Sequence, residues 1–441
     1  MHCCGIQPLQ KAADAATGGE GNQMRILVND FCGAAYEIDL SRELARRGHR
    51  VLHVFFADNL TTPKGQTTSA GSDPSNFVIE GLHISLPFSK HSIRTRRKAD
   101  MAYGKAVAAK LAAFKPDVVI SANMPLDAQV ILLKEARKHN AKFVFWMTEV
   151  YSFAVRYVLE RKLGPLSGLI AAHYERLERK LLTKADEVVC ITRAMQKLAM
   201  EWGVEPSRTS VIENWAPLGE VLPVGKDNPW SREHGVDRKF CFMYSGTLGM
   251  KHRPELLLAL ARYLQSRGDA RLMVISDGAG ADWLRANAQD FQKDVLTLLP
   301  FQPYEWLSEV LGASDVLIAL LDSKASPFAV PSKIPSYLCA GRALIVAAPR
   351  DNQAAAIVEQ AEAGIVISPD NTNDILNAAK ELMENAELRG RYATNARAYA
   401  EREFDIVSIG DRFLEVMERG LNSEPTRVRD GADVRDGYRF G

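Results

Sequence analysis

Lys239-Phe-Cys-Phe-Met-Tyr-Ser-Gly-Thr-Leu-Gly-Met-Lys251 is the stretch that decides the fold. Its apolar half reads as a strand and its glycines read as a turn. A helical pattern then opens at Pro254 and runs to Arg267. Proline at the start of a helix arrives with the φ that a helix needs. Strand, glycine turn and helix in this order make half of a βαβ unit. Gly246 and Gly249 allow a tight turn and the close approach of a ligand. Free N–H groups at a helix start attract anions, and Lys251 adds a compact positive charge suited to phosphate. Two readings stand: a diphosphate site, or a strand-to-helix turn that needs glycine for its own geometry. The pattern lacks the Gly-Lys-Ser/Thr of a P-loop and the Gly-x-Gly-x-x-Gly of a dinucleotide site, so an NAD reading is weak.

Strands and helices alternate on both sides of this stretch. Upstream, Arg25-Ile-Leu-Val28, a helix over Glu37–Arg47 and Val51-Leu-His-Val-Phe-Phe56 form a βαβ unit. Further strands are expected at 117–120, 142–146, 187–191 and 210–212, with helices at 129–139, 166–183 and 193–202. Downstream, strands are expected at 271–275, 296–299, 316–321, 343–346 and 364–367. Helices are expected at 304–311, 333–340, 372–385, 387–402 and 406–419. Between the halves, Asn214–Gly219 and Leu222–Pro229 are rich in Pro, Gly and Asn and read as a linker. The expected organisation is therefore a leader over 1–23, an N-terminal Rossmann-like domain over 24–222, and a C-terminal Rossmann-like domain over 223–402. A helix over 403–420 is expected to pack back toward the first domain, before a tail over 421–441. Leader and tail are small and polar, as in disordered segments. The expected fold class is α/β, with two doubly wound parallel sheets facing across a cleft. In open parallel sheets ligands sit beyond the carboxyl ends of the strands.

The whole chain narrows the function classes. Its 441 residues carry a formal charge of +1, which argues against a nucleic-acid partner. No apolar run approaches the ~20 residues of a membrane helix, and the first 23 residues lack a signal peptide's apolar stretch. Cys190, Cys241 and Cys339 lie in or beside apolar runs and no two of the six cysteines have zinc-finger spacing. That reads as core thiols in a reducing, cytoplasmic compartment.

Several motifs follow in order: Gly-Thr-Leu-Gly-Met-Lys251, Ile275-Ser-Asp-Gly-Ala-Gly280, Leu299-Pro-Phe-Gln-Pro303, Ala313-Ser-Asp-Val-Leu-Ile318, and Val330-Pro-Ser-Lys-Ile-Pro-Ser-Tyr-Leu-Cys-Ala-Gly341 with Arg-Ala-Leu-Ile-Val346. The ordered set resembles the nucleotide-sugar domain of GT-B glycosyltransferases of family 4, of the bacterial exopolysaccharide, colanic-acid and O-antigen type. The Gly33 loop and Leu44-Ala-Arg-Arg-Gly-His49 extend the resemblance over 24–419.

The resemblance implies retaining transfer from a UDP- or GDP-sugar to a glycan or lipid-linked acceptor, with no cofactor and no required metal. It implies that Gly246, Thr247, Gly249 and Lys251 line the diphosphate, with Gly33 among the donor-binding residues. Asp277 and Gly278 belong to the donor side, and the backbone around Phe301 and Gln302 reads the base. Ser326, Phe328, Ala329, Val330 and Ser332 face the donor sugar and β-phosphate, with Lys333 adding charge. The chain departs from the pattern in two places. Thr247 stands where many relatives have Arg, and Phe328 and Ser336 stand near the positions of a Glu-x₇-Glu pair. Arg253 is a candidate to compensate, or a solvated helix charge.

On the acceptor side, Asn123 and Tyr151 lie just past strands and are expected to face the cleft. Glu149 either orients an acceptor hydroxyl or is a surface acid, and Asp127 is a weaker version of the same. The basic run Arg94-Thr-Arg-Arg-Lys98 suits either an anionic lipid surface, at about 1 kcal/mol per basic residue, or a solvated helix. The first implies peripheral contact with the inner membrane. Two other functions fit the sequence: a nucleotide-sugar epimerase of the same shape, and a non-catalytic nucleotide-sugar binder.

Overall fold

The computed structural model describes residues 23–58, 65–85, 93–163, 167–323, 328, 331 and 333–422. The expected leader, most of the tail, and the site residues Ser326, Ala329, Val330 and Ser332 lie outside the described residues, as does the side chain of Lys251.

Two parallel sheets carry the fold. The first runs β3-β2-β1-β4-β5-β6-β7. Its strands are β1 (Arg25–Asp30), β2 (Arg50–Phe56), β3 (Phe77–Leu82), β4 (Val118–Ala122), β5 (Lys142–Met147), β6 (Glu187–Cys190) and β7 (Thr209–Val211). The second runs β10-β9-β8-β11-β12-β13. Its strands are β8 (Phe240–Ser245), β9 (Ala270–Ile275), β10 (Leu296–Leu299), β11 (Val316–Leu320), β12 (Ala343–Ala347) and β13 (Gly364–Ile367). Central strands such as β4 and β11 are buried at every position. Parallel strands covered by helices on both faces read as continuous apolar runs for this reason, which is why they are legible in the sequence.

The strand β3 and the helices Ile93–Phe114, Tyr151–Leu163, Ala279–Asn287 and Gln353–Gln360 were not among the expected elements. The helix Ile93–Phe114 has weak amphipathic segregation, because its small residues pack closely on the next helix. A Cβ on Gly104 would lie 2.9 Å from Ala128 Cα.

The strand order reverses between β1 and β4 in the first sheet and between β8 and β11 in the second. These are the switch points, where the connecting helices leave to opposite faces and a crevice opens. The loop after β1 contains Gly33, and the loop after β8 contains Gly246.

The last helix, Ile406–Asn422, lies against helix Ala35–Arg46 and strands β5 and β6 of the first sheet. Its Phe413 sits 4.7 Å from the Trp146 ring, and Trp146 stacks on Trp215 at 5.8 Å. Arg47 binds Asp411 at 2.5 Å and Arg419 binds Glu187 at 3.1 Å. Each buried apolar side chain of this helix contributes about 1.5–3 kcal/mol. The stretch read as a linker is packed: Trp215, Ala216 and Val221 are buried, and Tyr304 donates to Glu220 at 2.8 Å.

Candidate functional site

The loop after β8 is held from three sides. Gly246 N–H donates to Ile275 O at 3.0 Å, Leu248 N–H to Asp277 O at 3.1 Å, and Gly280 N–H to Leu248 O at 2.8 Å. The segment 277–280, with Asp277 and Gly278, therefore backs directly onto the turn. Asp277 is exposed and 3.7 Å from Arg285. Beneath the turn, the Tyr244 hydroxyl donates to Thr247 O at 2.8 Å. Gly249 N–H donates to His252 Nδ1 at 2.8 Å.

Strands β8 and β11 pair through Phe242 with Val316 and Met243 with Leu317. Past that point the Tyr337 hydroxyl fills the space between them. It accepts from Ser245 N–H at 2.9 Å and reaches Ser245 O at 2.9 Å and Ile318 O at 3.3 Å. Tyr337 thus caps the switch point.

Lys333 lies one helical turn before Tyr337 in the helix Lys333–Cys339. Residues four apart share a helix face, so both side chains point at the end of β8. Lys333 Nζ is 3.6 Å from the centre of the Tyr244 ring. Its stem fills the place of a side chain at Gly246: a Cβ there would lie 2.9 Å from Lys333 Cε and 3.3 Å from Nζ. Gly246 also has φ of 126°, a conformation L side chains rarely adopt. Glycine is required here twice over. Among the described residues no carboxylate pairs with Lys333, and burial pushes its ammonium well below the ordinary range. A partly buried amine with no carboxylate partner among the described residues, set against a glycine turn, is an arrangement suited to an anion.

Other donor-side residues fall differently. Arg253 stands in the left-handed region at φ 50° and donates to Asp370 at 2.8 Å. It is engaged by Asp370 here, and Lys333 is the cation that reaches the turn. Gln302 accepts from Trp230 Nε1 at 3.2 Å and donates to Pro300 O at 3.1 Å, so its side chain supports the loop. Its neighbour Phe301 is partly exposed. Phe328 packs at 5.6 Å from Phe153 of the first domain. Ser336 is partly buried on the same short helix as Lys333.

Across the cleft, Asn123, Glu149 and Tyr151 converge on one cavity of about 10 Å³, with Thr148 and Glu178. That space suits a single water. The Asn123 amide is engaged inside the protein: Nδ2 donates to Glu37 at 2.7 Å and Oδ1 accepts from Thr148. It ties the loop after β4 to helix Ala35–Arg46 at the switch point of the first sheet. Glu149 is exposed and Tyr151 partly buried. Glu178, missed in the sequence, is fully buried and accepts from Tyr151 N–H at 2.8 Å and Ser152 N–H at 2.9 Å. Burial pushes its carboxyl up to about 7, against the pull of those bonds.

The basic run is partly neutralised. Arg97 makes a two-pronged contact with Asp127 at 3.0 Å, and Arg96 lies 3.8 Å from Asp100. Tyr174 also donates to Asp127 at 2.8 Å. These charges point at acids as well as outward, and Asp127 is spent on the ion pair. Among the described residues no helix is long and apolar enough to cross a membrane.

Paired parallel-sheet domains with sites at both switch points define a GT-B glycosyltransferase scaffold. The glycosyl transferase 4-like domain matches residues 34–215, and the glycosyl transferases group 1 domain matches residues 227–399. Together they cover well over half of the chain, and the chain belongs to this glycosyltransferase family.

Among relatives, it is 23% identical over 251 residues to the protein called colanic acid biosynthesis glycosyl transferase WcaI in Escherichia coli strain K12, covering 56% of this chain. The chain spans 60% of that relative's length, so the match does not extend over the whole of it. Among solved structures, Anabaena HepE in complex with UDP-glucose superposes with a TM-score of 0.62 at 15% identity, covering 90% of this chain and 100% of that one. WaaG, a glycosyltransferase involved in lipopolysaccharide biosynthesis, superposes with a TM-score of 0.62 at 17% identity, covering 89% and 99%. At these identities the likeness is one of fold.

Proposed function

We propose that this chain transfers a sugar from a UDP- or GDP-sugar to a hydroxyl of a glycan or lipid-linked acceptor, with retention at the anomeric carbon, in surface polysaccharide synthesis. The observation that carries the reading is Lys333, an ammonium without a carboxylate partner among the described residues, lodged in the glycine turn at the switch point. The likeness to HepE, solved with UDP-glucose, and to the colanic acid biosynthesis glycosyl transferase WcaI supports the donor class and the pathway. The free thiols of Cys190, Cys241 and Cys339 support a reducing, cytoplasmic location.

In the proposed step the bond from the anomeric carbon to the β-phosphate oxygen breaks, and its electron pair stays on the phosphate. The acceptor oxygen bonds to the same face of that carbon, and its proton passes to the departing phosphate oxygen. Charge therefore grows on the diphosphate. Lys333 and Lys251, beside the 246–249 turn, stabilise it there. Fixed donors aimed at growing charge are commonly the largest contribution to such a rate. Glu149, exposed on the opposite wall, orients the acceptor hydroxyl.

The test is a panel of UDP- and GDP-sugars with the purified chain. Binding is read by thermal shift, because a ligand of the native state alone raises the melting point. Transfer is then read with the donors that bind. If no donor in the panel binds, the reading fails. Conversion of a donor without any acceptor moves the chain to the epimerase class.

A further inference from the structure

The helix Tyr151–Leu163 starts without a cap of its own. The Val150 carbonyl takes its first bonds, from Phe153 N–H at 3.1 Å and Ala154 N–H at 3.3 Å. The amides of Tyr151 and Ser152 come before that ladder and need acceptors from elsewhere. A Ser, Thr, Asp or Asn just ahead of the helix would supply one. Valine at 150 has no polar atom to offer.

The acceptors come from another helix. Glu178, on helix Ser167–Lys184, is fully buried. Its Oε1 accepts from Tyr151 N–H at 2.8 Å and its Oε2 from Ser152 N–H at 2.9 Å. Each oxygen holds one amide, and the acid stands at the positive end of the helix dipole. Ala171, Leu181 and Leu182 on the same helix are buried too, so the acid stands in an apolar stripe. A carboxyl group buried there is costly unless its hydrogen bonds are made, which ties its position to those two amides.

The same helix face acts twice. Tyr174, one turn earlier, donates to Asp127 at 2.8 Å, and Asp127 lies in the first turn of helix Leu126–Lys138. Residues four apart share a face. One helix therefore fixes the starts of the two helices that follow β4 and β5, at the carboxyl ends of those strands. Glu149 is bracketed by these ties. Just before it, Thr148 Oγ1 donates to Asn123 Oδ1, and just after it come the two amides bound to Glu178. Asn123, Glu149, Tyr151 and Glu178 line one cavity.

We propose that Glu178 is a positioning residue of the acceptor wall: from the neighbouring helix it clamps the first turn of helix Tyr151–Leu163 and so holds Glu149 and Tyr151 at the cleft. Its effect falls on the acceptor and leaves the donor alone, because the Gly246 turn belongs to the other sheet. The acceptor role rests on the transfer reading above; the clamp does not.

Hydrogen exchange of the full chain without nucleotide reads the clamp. In Glu178→Ala the Tyr151 and Ser152 amides exchange about tenfold or more faster, the effect of losing a hydrogen bond to a charged group. Protection equal to that of the wild type overturns the clamp. Kinetics read the role, with a donor that binds and with octyl glycosides of glucose, galactose and mannose as acceptors. Glu178→Ala is expected to lower kcat/KM for the acceptor by about 10²-fold, as a displacement of about 1 Å in an orienting group does. Affinity for UDP or GDP, read by calorimetry, stays within a few-fold of wild type. A merely structural loss lowers both together; that outcome, or an unchanged acceptor kcat/KM, sinks the positioning role. If Glu178→Ala does not fold, Glu178→Gln decides. Its one carbonyl oxygen accepts one amide while its NH₂ turns a donor toward the other, so the same split appears at smaller size. Acceptor kinetics of Glu178→Gln equal to wild type overturn the proposal. A wild type that transfers to none of these acceptors ends the transfer reading and the acceptor role with it, and exchange still decides whether Glu178 clamps the turn.

Discussion

The loops after β1 and after β8 are the same piece of architecture with opposite chemistry. Each follows the first strand of its sheet, each bends at a glycine of positive φ, 73° at Gly33 and 126° at Gly246, and each opens at a switch point. Around Gly33 the inward side chains are the acids Asp30 and Glu37. Around Gly246 the inward side chain is Lys333, brought by a helix almost ninety residues further along the chain. The fold therefore makes two open backbone turns, and one or two side chains from other elements decide which of them suits an anion. An anionic donor belongs on the second wall.

The comparison breaks most clearly at Lys333. Lys333→Ala is expected to lower kcat/KM for transfer by ~10²–10³, the scale of losing one preorganised donor to a developing anion. Its melting temperature should hold or rise, because a desolvated, unpaired ammonium is removed. Transfer within a few-fold of wild type would end the view of this wall as the anion side.

Gly246→Ala comes next. It forces a Cβ to 2.9 Å from Lys333 Cε at φ 126°. Strain of this kind costs about 1–3 kcal/mol. Nucleotide affinity should fall with stability, and titration calorimetry against UDP and GDP checks it.

The pH dependence sharpens the contrast. Burial lowers the proton affinity of Lys333, and a bound diphosphate raises it again. Binding should take up protons, and affinity should fall as pH rises through the lowered value of the free protein. Lys333→Arg should bind without that pH dependence, since a guanidinium stays charged. Calorimetry in buffers of different ionisation enthalpy reads the uptake.

The smallest effect is expected at Arg253. It already pairs with Asp370 at 2.8 Å with its side chain 31% exposed. Arg253→Gln should cost about 0–1 kcal/mol of stability, as exposed ion pairs do, and should leave transfer within a few-fold. A loss as large as that of Lys333→Ala would return Arg253 to the diphosphate site.

Much of this arrangement was legible in the residues. Continuous apolar runs marked the buried strands of both sheets, and the Gly246 turn announced itself by glycine between a strand and Pro254. Lys333 stood in the motif from Val330 to Gly341, four residues before Tyr337, a spacing that places both on one helix face. What escaped was long-range. Nothing local about Asn123 shows that its amide is spent on Glu37 and Thr148. Nothing local about Arg253 shows that Asp370 is waiting for it, and nothing local about the arginines at 96 and 97 shows that Asp100 and Asp127 lie beside them.

By itself, then, the sequence determined two parallel α/β domains, the glycine turn and the family, because hydrophobic runs and backbone freedom are properties of neighbouring residues. The tertiary structure alone decided the charge of each wall. A pairing such as Glu178 with the Tyr151 and Ser152 amides, or Lys333 with the Gly246 turn, exists only once separate elements are packed with water excluded. There a missing counter-ion or an unmet hydrogen bond becomes costly enough to define a site.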